Sequence, residues 1–599
     1  MDKHKRSSYP PPSCVLLLLS VSLFYVSTVR AIICPSSCRC DRRERSVACS
    51  GYNYLGLPKM NVPPAVRTFS LTNQSILYFD DTWSDLGLDL REIKLINCQV
   101  SNMSANALRG FGRLRILHLN FNSLSEVPYC ISNSSSIRDL RMSDNEIDSL
   151  SVDTFQSLSE LRILELAYNW ISELPDEIFW NLSELRVIDL SNNMIGYITR
   201  WTFINQTKLT DLNISNNQVT SLSFGWLNSL TKLWDLKLHG LFTDAPRFDN
   251  ISTQVDNLIQ LSDGLEFSNI EILDISYNYL TEIPCHCWET MKTLITLRMV
   301  GNSFETVPSY CFSELRDLHD ISLDHNSISH LGQFAFANVM HLRSIELAGN
   351  NITHLPPNFM NGSKLVTYLN LDQNQFTYLP SSFVIHGMLD RLNMQNNLID
   401  NISETAFMDL PKLSMLDFRG NRLTSLTTEL KSAWSLRFVQ MIANEISFVD
   451  EDAFSNNTRL QGIWLDYNRL STISYETFLP LPRLVVVSLK YNPWYCDCRI
   501  KWMHTQVQIE MGLPQYEWLA IDKKIRCSAP KRLKKVFMRA IKYPNKLICS
   551  SFPPPLTIKL IVGISLSIVG LSTALYIIQL YCKARKLERN GGDPGKCIP

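Results

Sequence analysis

Cys285, His286 and Cys287 set two thiols and an imidazole within three residues, a donor set that suits a zinc ion. They belong to a chain of 599 residues with 16 cysteines and 11 histidines. The remaining histidines and carboxylates are scattered, with no nucleophile motif, Gly-rich phosphate loop or H-E-x-x-H spacing. No catalytic residues, no cofactor and no enzymatic activity are expected from this pattern. Charge is another matter. The formal net charge is zero, yet Lys523 to Lys546 holds ten Lys/Arg and no acid. Outside that segment 47 basic residues face 57 acidic ones.

Both ends speak of the secretory route. Lys3, Lys5 and Arg6 precede an apolar run from Val15 to Val29 and then Ala31. Those are the parts of a signal peptide, predicted over residues 1–31. The lumen it leads to is oxidising, so cysteines pair there. After Pro553, Pro554 and Pro555, the stretch Leu560 to Tyr581 supplies 22 mostly apolar residues, enough to span a bilayer. Lys583, Arg585, Lys586 and Arg589 follow it, against Lys559 before it, which puts the C-terminus in the cytoplasm. The expectation is a plasma-membrane, single-pass type I protein with its N-terminus extracellular. Gly563, Ser567, Gly570 and Ala574 share one face of the span and suit a lateral homodimer. Nucleic acid is not implied, because the basic segment then lies outside the cell beside the membrane.

The elements that must position all these groups are repeats. The pattern L-x-x-L-x-L-x-x-N-x-L occurs eighteen times, first at Val66 and last at Leu484. Successive starts are 23 or 24 residues apart, except for one 37-residue step from Leu233 to Ile270. The first six positions alternate apolar and polar, a half-buried strand. In one copy Leu164 and Leu166 are predicted to point inward, and Ile163, Glu165 and Ala167 outward. No single copy buries its apolar side alone, so copies stack into a parallel sheet. The ninth position is Asn in fifteen copies and departs to Gln74, Cys98 and Leu241 in three. A buried amide there is expected to bond neighbouring backbone, and Leu241 to interrupt that ladder. A second apolar set, Phe155, Phe179, Phe203, Phe312, Phe336, Phe359, Phe383, Phe407, Phe454 and Phe478, is expected to stack as a spine.

This period and consensus resemble the leucine-rich repeat family. The resemblance implies an α/β horseshoe solenoid with the parallel sheet on its concave face, disulfide-capped at both ends. Cys34, Cys38, Cys40 and Cys49 look like the family's N-terminal cysteine cap, which implies Cys34–Cys40 and Cys38–Cys49. Asn492 through Cys498, with Trp502, Cys527 and Cys549, is similar to its C-terminal cap, implying Cys496–Cys527 and Cys498–Cys549. The expected domains are the signal peptide, an N-terminal cap at 32–65, repeats at 66–492 with a long copy at 233–269, and a C-terminal cap at 493–550. A Pro-rich hinge at 551–559, a transmembrane helix at 560–581 and a tail at 582–599 complete them. Thirteen cysteines lie outside the cell on this plan, an odd number, so at least one does not pair within the chain. Cys98 is expected as a buried thiol. Cys285, Cys287 and Cys311 occupy equivalent parts of adjacent copies, so one disulfide among them is preferred over the metal reading. The ectodomain plan resembles that of Toll-like receptors and of adhesion-type repeat proteins, without a cytoplasmic signalling domain.

Eleven sequons lie at Asn73, Asn102, Asn133, Asn181, Asn205, Asn213, Asn250, Asn351, Asn361, Asn401 and Asn456. Glycans there would leave Ile251 to Asn350 clear. Outward strand positions in and beyond that window are chemically varied: Asp274, Arg298, Asp320, Asp324, Glu346, Tyr368 and Asp372, then Arg391, Met415, Arg419, Phe438 and Trp464. Asp274, Arg298, Asp320, Asp324, Glu346, Tyr368 and Trp464 are the residues expected to meet a ligand, Trp464 because an exposed aromatic has little structural reason there. Lys531, Arg532, Lys534 and Lys535 are expected to attract a sulfated glycosaminoglycan. The expected function is protein–protein recognition at the cell surface, in adhesion or as a co-receptor with an extracellular protein partner. The alternative is an innate-immune pattern-recognition receptor or decoy.

Overall fold

The computed structural model describes residues 38–41, 43–51, 66–86, 89–199, 201–219, 221–222, 227, 229–241, 269–384, 386–504 and 525–541. The predicted signal peptide, Cys34, most of the long repeat with Asn250, Cys549, and the predicted hinge, membrane span and tail lie outside them. Among the described residues no helix is long and apolar enough to cross a membrane.

One twenty-stranded sheet runs from Cys38–Asp41 to Val486–Ser488. Its first pair is antiparallel, with Cys38 opposite Cys49. From Ser46–Ser50 onward each strand pairs in parallel with the strand one repeat later, in matching register: Leu164 opposite Ile188, Ile345 opposite Leu369. Those mid-strand residues are buried, while their neighbours on either side stand toward the open face. Ala167 departs from the predicted alternation, being 6% exposed. By that point the strand has ended and the chain turns inward toward the ladder residue.

The opposite side carries little helix, which corrects the α/β expectation. Among the described residues there is one four-residue α-helix, Tyr129–Ser132. Elsewhere the chain returns through turns, short 3-10 helices such as Cys285–Thr290, and two-residue strand pairs such as Thr306–Val307 with His330–Leu331. A 23- or 24-residue copy spends half its length on the sheet strand and ladder turn, leaving too few residues for a stable helix. The phenylalanine spine fills the space between. Phe155, Phe179 and Phe203 stack at 6.2 and 5.6 Å, and Phe312 stacks on Phe336 at 5.5 Å. Phe383 turns instead to Phe376, edge-on at 5.8 Å.

The asparagine ladder closes each turn. Asn326 donates to the carbonyls of Met299 and Leu323 at 3.0 and 2.9 Å, and its Oδ1 accepts the Phe304 N–H. All fifteen asparagines accept a backbone N–H from the preceding copy in this way. At Cys98 the thiol takes the donor's place, 3.5 Å from the Leu71 carbonyl. The long repeat does not break the sheet: Asp235, Leu236 and Lys237 pair with Ile272, Leu273 and Asp274. Asn278 reaches across it to the Leu238 carbonyl and the Leu241 N–H. The expected interruption is therefore confined to one side chain.

The residue before each ladder position is left-handed in all eighteen copies, from Asn73 at φ 56° to Tyr491 at φ 59°. Asn and Gly tolerate that region; Phe121, Tyr168, Tyr277, Tyr467 and Tyr491 occupy it as half-exposed aromatics. Tyr467 and Tyr491 stack at 4.3 Å.

Disulfides join Cys38 to Cys49, Cys285 to Cys311 and Cys496 to Cys527. Cys40 and Cys498 are also disulfide-bonded; their expected partners, Cys34 and Cys549, lie outside the described residues. Cys98, Cys130 and Cys287 are buried thiols. Burial pushes Cys130 up to about 12 and Cys287 to about 11, which keeps both protonated and unreactive at neutral pH. The zinc reading closes here, because the Cys285 sulfur is bonded to Cys311.

Candidate recognition surface

The open face of the sheet is built from the third and fifth positions of each copy, whose side chains alternate with the buried leucines. Ion pairs neutralise much of its N-terminal part. Lys94 lies 2.6 Å from Glu92, and Arg141 lies 2.9 Å from Asp139 and 2.8 Å from Glu165. Burial alone would raise the Asp139 carboxyl, but His118 and Arg141 outweigh it and hold the group below its usual range. The residues of this network fall at positions three and five of successive copies, where the repeat spacing alone marks them as outward-facing.

Farther along, the carboxylates lose their counter-charges. The strands Asp320–Ser322, Ser344–Glu346 and Tyr368–Asn370 are consecutive neighbours, with Ser322 opposite Glu346 and Ser344 opposite Tyr368. Asp320, Asp324 and Glu346 form no ion pair among the described residues; the cations on the flanking strands are Arg298, opposite Ser322, and Arg391, opposite Tyr368. Burial raises the Asp324 carboxyl above its usual value; the Ala348 N–H, donating at 2.6 Å, opposes this and the Glu346 charge adds to it. Tyr368 is raised as well, by burial and then by Glu346. Asp324, Glu346 and Tyr368 form one acidic, partly desolvated patch, with Asp320 exposed on the neighbouring strand.

Of the other expected contacts, Arg298 borders the patch from the preceding strand, and the rest sit apart from it or have partners. Asp274 and Arg298 are directly opposite on adjacent strands, with His239 3.8 Å from the Asp274 carboxylate. Asp372 was expected to face outward but is 7% exposed, accepting hydrogen bonds from Gln395 and Asn396. Its side chain lies over the ladder turn, not over the strand. Arg419 is held by Asp417 at 2.7 Å. Trp464 lies four strands beyond Tyr368, about 19 Å along the sheet. It is half-buried, its ring filling the space over Gly462 and meeting Phe438 at 6.3 Å. The structure thus gives Trp464 a packing role that the sequence did not disclose.

Of the ten sequon asparagines within the described residues, eight are exposed. Asn205 and Asn213 are half-buried, with Asn205 donating to the Trp180 carbonyl and Asn213 to Asp189. Asn213 projects from the open sheet face, as its strand position predicts. Lys531, Arg532, Lys534 and Lys535 are exposed around a 3-10 helix, Lys531–Leu533, which follows the Cys527–Ala529 strand.

The Leucine rich repeat family matches residues 135–195, 268–328, 316–376, 382–432 and 434–493. Among known proteins, Toll-like receptor 9 of Mus musculus is 25% identical over 147 residues, which cover 24% of this chain and 14% of the receptor. Trophoblast glycoprotein of Macaca fascicularis is 25% identical over 185 residues, 30% of this chain and 42% of that protein. The high affinity nerve growth factor receptor of Gallus gallus is 37% identical over 82 residues, 14% of this chain and 10% of the receptor. The matches thus span less than half the length of each relative. Among solved structures, a leucine-rich repeat protein of Leptospira interrogans superposes with a TM-score of 0.55 at 22% identity, covering 66% of this chain and 95% of that one. Toll in its complex with Spatzle gives 0.51 at 17% identity, covering 84% and 72%. Both likenesses concern the fold. The repeat period, the asparagine ladder, the parallel sheet and the family match agree, and this chain carries leucine-rich repeats.

Proposed function

We propose that this chain is a single-pass cell-surface recognition protein that binds a basic extracellular protein through the open face of its sheet, in adhesion or as a co-receptor. The observation that carries the reading is the acidic patch at Asp320, Asp324, Glu346 and Tyr368. Its carboxylates lack the counter-ions that the N-terminal part of the same sheet supplies for itself. A partner bringing Lys or Arg completes those pairs, gaining charge-assisted hydrogen bonds in a partly desolvated site. The sequon-free stretch from Ile251 to Asn350 contains Asp320, Asp324 and Glu346, so glycans would leave the patch accessible. Trp464, four strands away, serves as a second anchor only for a partner large enough to span both.

Proximity labelling on cells displaying the full chain tests this. Partners captured by the wild type should be lost when Asp320, Asp324, Glu346 and Tyr368 become Asn, Asn, Gln and Phe. Truncating a true hot spot costs about 2 kcal/mol or more. A partner list unchanged by the quadruple substitution would overturn the assignment. A second reading, an innate-immune receptor or decoy, is favoured by the similarity to Toll-like receptor 9 over 147 residues. It requires capture of microbial ligands in place of host surface proteins.

A further inference from the structure

Arginine stands immediately before the sheet strand in six consecutive copies: Arg67, Arg91, Arg115, Arg138, Arg162 and Arg186. Arg45, before the cap strand Ser46–Ser50, continues the row. The backbone holds them in register. Each N–H donates to the carbonyl of the arginine one repeat earlier, at 2.7 or 2.8 Å. Seven guanidinium side chains therefore leave one rim of the solenoid at one per strand, a span of about 29 Å at ~4.8 Å per strand. The row ends there: Thr210, Trp234 and Glu271 take the position in the following copies.

The acids near this rim are mostly paired elsewhere: Asp89 acts on Arg67 but pairs with Arg113, and Glu184 pairs with Lys208 and feels Arg162 and Arg186 only at a distance. Arg115 and Arg138 share the single carboxylate of Glu160, at 2.6 and 2.9 Å. Arg45, Arg67, Arg91, Arg162 and Arg186 form no salt bridge among the described residues. Around Arg67 like charges crowd together: Arg45 and then Arg91 lower its pKa by repulsion. A hydrogen-bonded backbone ladder fixes these like charges side by side, so the folded chain carries an electrostatic cost that a bound anion relieves.

We propose that this arginine row binds an extended sulfated polysaccharide laid along the strand-entry rim. A row of cations recurring once per strand matches a linear polymer with repeating anions, not a single small anion. Guanidinium forks engage tetrahedral oxyanions bidentately, and the polymer gains further from counterion release. Two observations favour polysaccharide over nucleic acid. The disulfides Cys38–Cys49, Cys285–Cys311 and Cys496–Cys527 mark an oxidising compartment, where sulfated glycans are the abundant polyanions. The residues following each arginine of the copies, Thr68, Glu92, Ile116, Asp139, Ile163 and Val187, include no aromatic on which a base stacks. This site is separate from the C-terminal lysine cluster and independent of the acidic patch.

The probe is heparin, with desulfated heparin and oligodeoxythymidine as comparators, added to the purified full chain at several salt concentrations. Arg67→Gln, Arg91→Gln and Arg162→Gln together should raise the heparin Kd at least tenfold and flatten the slope of log K against log salt by roughly two. The same three positions as Lys should keep most of the affinity, and Lys531, Arg532, Lys534 and Lys535 changed to Gln should leave most of it. Arg91→Glu alone, at an exposed position, should weaken binding visibly should the triple variant fold poorly. The row is overturned by any of four results. These are wild type that passes heparin at physiological salt, Gln or Glu variants that bind like wild type, binding abolished only by the C-terminal substitutions, or oligodeoxythymidine competing as well as heparin.

Discussion

The carbonyl of Leu241 accepts the Val219 backbone N–H at 3.1 Å, the hydrogen bond that an asparagine Oδ1 accepts in most neighbouring copies. The Cys98 carbonyl does the same for Ile76 at 2.8 Å. Where the ladder lacks its amide, the main chain of the substituting residue moves in to satisfy the donor. A buried N–H without a partner costs about 1–3 kcal/mol, which explains why the sheet continues past Leu241 without opening.

The amide rungs should accordingly be stiff points of stability. Asn302→Ala leaves the Ile275 and Met299 carbonyls and the Asn278 and Leu280 N–H groups without their side-chain partner. It should cost about 3 kcal/mol or more. Cys98→Ala removes only a weak thiol donor and a small buried volume, and should cost about 1–2 kcal/mol. Urea unfolding followed by circular dichroism orders the two; equal midpoints would show that the amide contributes no more than a thiol.

Gly301 adopts φ +64°, and a Cβ there would run into the ring of Tyr277 from the preceding copy. Gly301→Ala should cost about 1–2 kcal/mol, combining left-handed strain with displacement of the ring. In a Tyr277→Ala background the ring component disappears and about 1 kcal/mol remains. A double-mutant cycle on thermal unfolding separates the parts; additive effects would exclude the steric one.

Asp324 supplies a pH signature for the acidic patch. Its folded pKa is raised, so the protonated form is favoured in the native state. That contribution is present in full below the ordinary carboxyl value of 3.8 and is lost as pH rises through the folded value. At neutral pH the buried carboxylate is therefore a liability, and Asp324→Asn should raise the unfolding midpoint while keeping an acceptor for Ala348. The gain should shrink as the pH is lowered toward 3.8. A substitution that is destabilising at pH 7 would show that the Ala348 and Ser322 bonds outweigh burial.

Elements with a local or periodic cause were legible in advance. The alternation around Leu164 and Leu166 predicts their burial, because a strand has period two and its neighbours repeat it. The phenylalanine spine follows from one aromatic recurring per copy. Cys285 and Cys311 pair as their equivalent places in adjacent copies imply. Trp464 and Asp372 were misread for one shared reason: what covers an outward side chain depends on neighbours more than twenty residues away. Phe438 packs against Trp464, and Gln395 and Asn396 cover Asp372.

By itself, then, the sequence determined the stack: a fixed period, a buried leucine set and an amide ladder admit one way for copies to bury their apolar sides. The tertiary structure alone decided which charges become neighbours. Arg67, Arg91 and Arg115 are 24 residues apart in the chain and one strand apart in space. Asp324 and Glu346, 22 residues apart in the chain, interact electrostatically across the same step. Stacking turns sequence distance into a strand spacing of about 4.8 Å, well inside the ~10 Å over which charges at moderate salt still interact. Single residues that look like solvated surface along the chain thereby become a cationic row on one rim and an acidic patch on the sheet.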